Sequence, residues 1–379
     1  MKKVAIWCAF LLFFLHGGVL VAAASEAEAE IEAEADAGRG AYADLVGAIP
    51  PEVAELLPAD FFAEDMTLVG NAVREATGAQ AILAAVGRVT GLALQDNLSL
   101  LATVCGVLLL SAVLRGVRGS KKLSPELARA LSFCATLSLC LVIISLQRDR
   151  FLEISAFFGV LKTLSVAMLP LTGTLYAMGG NVAAAVANHG VMSTFLALLE
   201  GAISHTALPV AGICICMGLL DALSVGVDLR SLSVLIKRSY TWTFSLLMLL
   251  LCGALGLQTT LAKGSDGLAM RTVRFAAGSF LPVVGGSVSE ALRTVAGTAA
   301  IVVLFLCFLP VFISTLLNRI VFLLGGAMAK VMGCDREERL LSELAAVYGY
   351  FLAVIASLFV TVTFSLTLFA HCATAGGGV

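Results

Sequence analysis

The sequence predicts an all-α, polytopic integral membrane protein. It has seven to eight transmembrane helices with a re-entrant or interfacial segment, after a signal peptide and a small exported helical region. Three observations carry this reading. Hydrophobic residues fill 59% of the 379 positions and charged residues only 13%, a balance foreign to soluble globular domains. From residue 98 onward, apolar runs of membrane length alternate with short loops rich in Lys and Arg, as in helices that cross and return. The chain opens with Lys2-Lys3, an apolar run from Val4 to Val21 and Ala22-Ala23-Ala24, the three parts of a secretory signal.

Residues 1–24 read as that signal, either cleaved after Ala24 or kept as a first anchor; both place the next residues outside the cytoplasm. Residues 25–40 form an acidic Glu/Ala tract with almost nothing to bury, so it is expected to be disordered. Residues 41–97 read as a small extracytoplasmic helical region. Pro50-Pro51, Pro58 and Gly78 divide it, and Val86 to Leu94 forms an amphipathic helix leading to the membrane. Residues 25–95 carry 13 acids against three bases, and residues 96–379 carry 19 bases against 13 acids, so an acidic exterior faces a basic interior. The bases are scattered through short loops, which argues against nucleic-acid binding. No cysteine falls in 25–95, which excludes a disulfide framework there. Those in the apolar runs read as small buried hydrophobes.

Residues 98–372 form the polytopic membrane domain. Leu98 to Leu114 is its first span, and Arg115, Arg118, Lys121 and Lys122 mark its end as cytoplasmic. Leu127 to Leu146 returns outward, and Arg148-Asp149-Arg150 with Glu153 makes a charge-balanced external turn. Ala156 to Met178 follows, then Asn181 to Glu200, the least apolar candidate. Ile203 to Leu223 is next, with Pro209 as a kink and Asp221 near its end. Tyr240 to Thr260 begins at the interfacial anchors Tyr240 and Trp242. Thr298 to Leu317 is interrupted by Pro310 and continues as an apolar segment to Gly333. Leu344 to Ala370 closes the domain. If Asn181 to Glu200 crosses, the loops read as cytoplasmic hold 11 Lys and Arg against six outside; if it does not, eight against nine. The positive-inside rule therefore favours eight spans over seven.

No Gly-rich phosphate loop, His-Glu-x-x-His or Gly-x-Ser-x-Gly motif occurs, and His189 and His205 have no acidic neighbours in sequence. The protein is expected to be non-enzymatic, with no catalytic residue, no metal and no cofactor. Two ionisable residues, Lys162 and Asp221, fall within apolar runs and are the candidate intramembrane polar positions. Leu169-Pro170, Leu208-Pro209, Leu281-Pro282 and Leu309-Pro310 recur in or beside spans. They read as helix breaks of the transporter kind or as simple kinks.

Residues 262–297 depart furthest from the general pattern. Within Ser279 to Gly297 (SFLPVVGGSVSEALRTVAG), Pro282 and the pair Gly285-Gly286 separate two membrane-length runs, and Glu290 and Arg293 stand three apart, close enough to pair on a helix. Two forms fit this segment, which is expected on the extracytoplasmic side. One is a helix lying on the membrane surface; the other is a re-entrant hairpin turning at Pro282 to Gly286, its free backbone groups lining a cavity. Pro282, Gly285, Gly286, Glu290 and Arg293 are accordingly the candidate pore or partner-contact segment.

That segment, Phe-Leu-Pro-Val-Val-Gly-Gly followed by Ser-x-x-Glu-Ala-Leu, resembles the most recognisable stretch of the stage III sporulation protein AE family of endospore-forming bacteria. The leader, the exported region and the basic loop after the first span fit the same resemblance. It implies a component of a secretion-like channel between mother cell and forespore, needed for late forespore gene expression. The protein would lie in the mother-cell membrane around the forespore, its mature N-terminus extracytoplasmic. The implied partners are the other stage III A sporulation proteins, including an ATPase, a forespore channel protein across the intermembrane space, and membrane lipid. The paired Leu-Pro breaks with Lys162, Asp221 and Glu290 admit a second class, a stand-alone permease for a small solute.

Overall fold

A computed structural model describes residues 40–63, 65–118, 125–178, 206–223, 229–278 and 284–374. The predicted signal, most of the acidic tract, the candidate span Asn181 to Glu200, His189, His205 and Pro282 lie outside the described residues. Every regular element among those described is a helix: α1 (40–47), α2 (Pro51–Ala54), a 3-10 turn (Ala59–Phe62), α3 (Met66–Ala76), α4 (Ala79–Arg118), α5 (Pro125–Met178), α6 (Leu208–Ala222), α7 (Leu229–Gly278), α8 (Val284–Val331) and α9 (Asp335–Thr374).

The first four elements form a small cluster on the end of the bundle. Tyr42, Leu45, Val53, Leu57, Phe61, Val69 and Val73 are buried together. The Tyr42 hydroxyl donates to the Phe61 carbonyl at 2.9 Å, and burial pushes the phenol above its ordinary pKa. Asp65 caps α3 by accepting from the Thr67 amide at 2.9 Å, which satisfies a donor the helix start leaves free. A Cβ at Gly70 would lie 3.2 Å from Val295 Cγ2, so the missing side chain lets α3 settle closely on α8.

Among the described residues, five helices are long and apolar enough to cross a membrane: Ala79–Val113, Thr136–Met168, Leu229–Ala254, Thr298–Val331 and Asp335–Phe364. The apolar α6 is shorter. The sequence expects two spans, Leu127 to Leu146 and Ala156 to Met178, joined by an external turn at Arg148 to Glu153. The structure instead has one unbroken helix, α5, through all of it. The reason is local. The stretch from Gln147 to Ser155 has neither Gly nor Pro, and Arg150 pairs with Glu153 one turn on at 3.0 Å, which supports helix rather than ending it. Pro170 and Pro310 likewise sit inside continuous helices. Pro209 falls in the first turn of α6, where its missing N–H costs nothing.

α8 and α9 form the central hairpin, and its turn is fully specified. Gly333 adopts a left-handed φ of 69°. The Cys334 amide donates to Ala329 O at 2.8 Å and the Gly333 amide to Lys330 O at 3.0 Å, the paired bonds of a Schellman motif. Asp335, Glu337 and Glu338 fill the first turn of α9, where negative charge suits the helix dipole. On this hairpin Phe322 stacks on Tyr348 with centroids 5.6 Å apart, and Tyr348 in turn stacks on Phe151 of α5 at 6.0 Å. Tyr348 also donates its hydroxyl to Gln147. Gly325 gives α4 room, since a Cβ there would lie 2.9 Å from Val104 Cγ1. Small residues and close contact hold helices together in lipid, where apolar burial gives little advantage.

Candidate functional site

Where α6, α7 and α9 meet, the structure buries a cluster of polar side chains. Ser233 and Lys237 stand four apart on α7 and so share one face; both donate to the same carboxylate oxygen of Glu343 on α9. The Lys237 and Glu343 side chains are only 7% and 6% exposed. A charge pair in such a place holds because each partner removes the penalty of burying the other. Neither can leave alone.

The third helix contributes an absence. A Cβ added at Gly218 of α6 would run into the Glu343 side chain, so the acid crosses α6 over a bare stretch of backbone. One turn away, Cys214 is buried against Ser233 O at 4.0 Å. At the same end of α6 as Gly218, Asp221 lies 4.0 Å from Arg339. At the other end, the Tyr350 hydroxyl donates to Ala207 O at 3.1 Å, and Tyr240 and Thr206 share a hydrogen bond of 2.7 Å. The Tyr240 and Tyr350 rings meet edge to face at 5.4 Å. Polar contacts therefore tie α6 to α9 at both ends, and the Lys237-Glu343 pair ties α7 to α9 between them.

Among the described residues no group of three or more His, Cys, Asp or Glu could hold a metal. What the cluster can do is fix the relative rotation of three helices around a buried ion pair.

The sequence-derived candidates distribute as follows. Asp221 joins the cluster through Arg339. Lys162 sits half-buried on α5. Gly285, Gly286, Glu290 and Arg293 fall in the first turns of α8. From there to the level of Glu343 is roughly 50 Å along the helix path at 1.5 Å per residue, so the two regions are separate. In the sequence Lys237 stands beside Arg238 and Glu343 ends the charged run from Asp335, so both read as loop charges. A signal was present: Leu340, Glu343, Val347, Tyr350 and Val354 follow one helical stripe, with a single acid among apolar neighbours.

The family described as stage III sporulation protein AE matches residues 71–374, which covers α4 to α9. Stage III sporulation protein AE of Bacillus subtilis (strain 168) is 22% identical over 130 residues, 34% of this chain and 33% of that protein. The alignment thus spans about a third of the relative's length. No solved structure matches.

Proposed function

From the premise that the chain belongs to the stage III sporulation protein AE family, we propose that it is a non-enzymatic membrane component of the channel joining mother cell and forespore. It is a sporulation protein of the membrane; the finer reading concerns where and with whom it works. In this reading it sits in the mother-cell membrane around the forespore, its mature N-terminus in the intermembrane space. It assembles there with the other stage III A proteins, an ATPase among them, and with a forespore channel protein, so that any energy input comes from a partner.

The observation that carries this reading is the family match across the whole helical domain. The fold supports it in one respect. The helices are locked by buried side-chain contacts, as a fixed wall in an assembly requires. Pro282, Gly285, Gly286, Glu290 and Arg293 remain the proposed pore-lining or partner-contact segment.

The test is a deletion in the organism that carries the gene. Sporulating cells are expected to complete engulfment and then fail to activate late forespore transcription, read with a fluorescent reporter. Normal late transcription in the deletion strain sinks the proposal.

A further inference from the structure

Between the N-terminal helices and the bundle lies a cavity of about 580 Å³, a volume suited to a drug-sized ligand. The segment from Pro50 to Leu56 contributes one wall, and α4, α5 and α8 the others. Most of the lining is apolar, with side chains such as Leu92, Phe157 and Val311.

The charges at its edge are unbalanced. Glu52, Glu55, Asp96 and Glu153 face Arg88 and Arg150. Both cations are engaged: Arg150 binds Asp96 at 2.9 Å and Glu153 at 3.0 Å, and Arg88 donates to the Glu55 carbonyl at 3.4 Å. Four carboxylates against two guanidiniums leave the edge negative.

The inner wall has the same bias. Asn318 is 1% exposed and lines the cavity. Its amide nitrogen donates to Ser314 O at 2.9 Å. A carbonyl can only accept, so the amide orientation is fixed and Oδ1 is the atom left over. That oxygen is buried without a hydrogen-bond partner, a state that costs free energy unless a donor arrives. Pro310, also in the lining, has no N–H to give the carbonyl of Leu306 one turn earlier. Leu306 faces an adjoining cavity of about 540 Å³ that shares Glu55, Leu56 and Arg88 with the first.

A buried acceptor without a donor, an excess of carboxylate and an apolar body together describe the complement of one ligand class. We propose that this cavity binds an organic cation, an ammonium or guanidinium group carried on a short apolar body. The cationic head enters toward Asn318 Oδ1, and the apolar part fills the space beside Phe157 and Val311. An anion is disfavoured here because four carboxylates face two arginines, and Arg150 is already held by Asp96 and Glu153.

The test uses the full-length protein in nanodiscs and equilibrium dialysis with labelled hexylamine, with uptake by empty nanodiscs subtracted. Saturable binding near one per chain is expected, with 1-hexanol and hexanoate at least tenfold weaker. Asn318→Leu should weaken hexylamine tenfold and leave 1-hexanol unchanged. Because a core variant can fail to fold, Glu55→Lys at an exposed position provides a second reading: hexylamine weakens fivefold or more and hexanoate gains. Displacement of hexylamine by the capped peptide Ac-Leu-Lys-Leu-amide assigns the cation to a protein side chain, and failure to displace it assigns a free amine. No saturable uptake, equal binding of amine and alcohol with both variants silent, or preference for hexanoate overturns the proposal.

Discussion

Two cation-carboxylate clusters in this bundle use the same chemistry under opposite conditions. Lys237 and Glu343 are sealed among α6, α7 and α9, below a tenth exposed on each side. Arg150, Asp96 and Glu153 form a chain of pairs between α4 and α5 in which both carboxylates are more than half exposed. Proximity is similar, so distance is not what separates them. Access is: the sealed pair cannot exchange partners, whereas the open one sits at the mouth of a cavity where solvent and a ligand compete for it. The first is suited to holding helices, the second to meeting something.

The largest effect that tests this contrast is expected from Glu343→Leu, which leaves Lys237 buried without a counter-charge. Such uncompensated burial costs about 3–5 kcal/mol, so the variant should lose most of its folded, monodisperse fraction in fluorescence-detected size exclusion. Adding Lys237→Met in the same chain should restore that fraction. No rescue by the double variant breaks the idea that the pair acts as a unit.

A smaller loss is expected from Gly218→Ala, because the new methyl meets the Glu343 side chain and overpacking costs about 1–3 kcal/mol. A lowered thermal midpoint in nanodiscs should be partly recovered when Glu343→Ala removes the clashing Cγ and Lys237→Met removes the charge that would be left unpaired. The smallest effect belongs to Arg150→Gln. Exposed pairs of this kind contribute about 0.2–1 kcal/mol and are weakened by salt. The thermal midpoint should move little, and the difference from the parent should shrink further in 0.5 M salt. A large drop for Arg150→Gln would place both clusters in one class and erase the distinction.

How much of this was legible in the sequence depends on what kind of signal each residue leaves. The membrane class and the helical run from Leu98 onward follow from apolar length and composition alone. The family segment around Glu290 was also visible, as a Pro-Gly-Gly interruption with an acid and a base one helical turn apart. Arg148 to Glu153 misled because a charged stretch reads as a turn, while helix continuity depends on the absence of Gly and Pro and on pairs such as Arg150 with Glu153. Lys237 and Glu343 were hidden for a related reason. Their partners lie more than 100 residues apart in the chain, and no local pattern reports a pairing at that distance. Gly218 leaves no signal at all until Glu343 is seen lying across it.

That last contact has a consequence for other members of the family. Gly218 and Glu343 share one volume, so the two positions should vary together rather than singly. A relative with alanine or serine in place of Gly218 should carry a small neutral residue opposite it. Where the acid is lost, the residue matching Lys237 should lose its charge as well. An aligned set of relatives would then display a three-way correlation joining α6, α7 and α9, readable from sequences without a further structure.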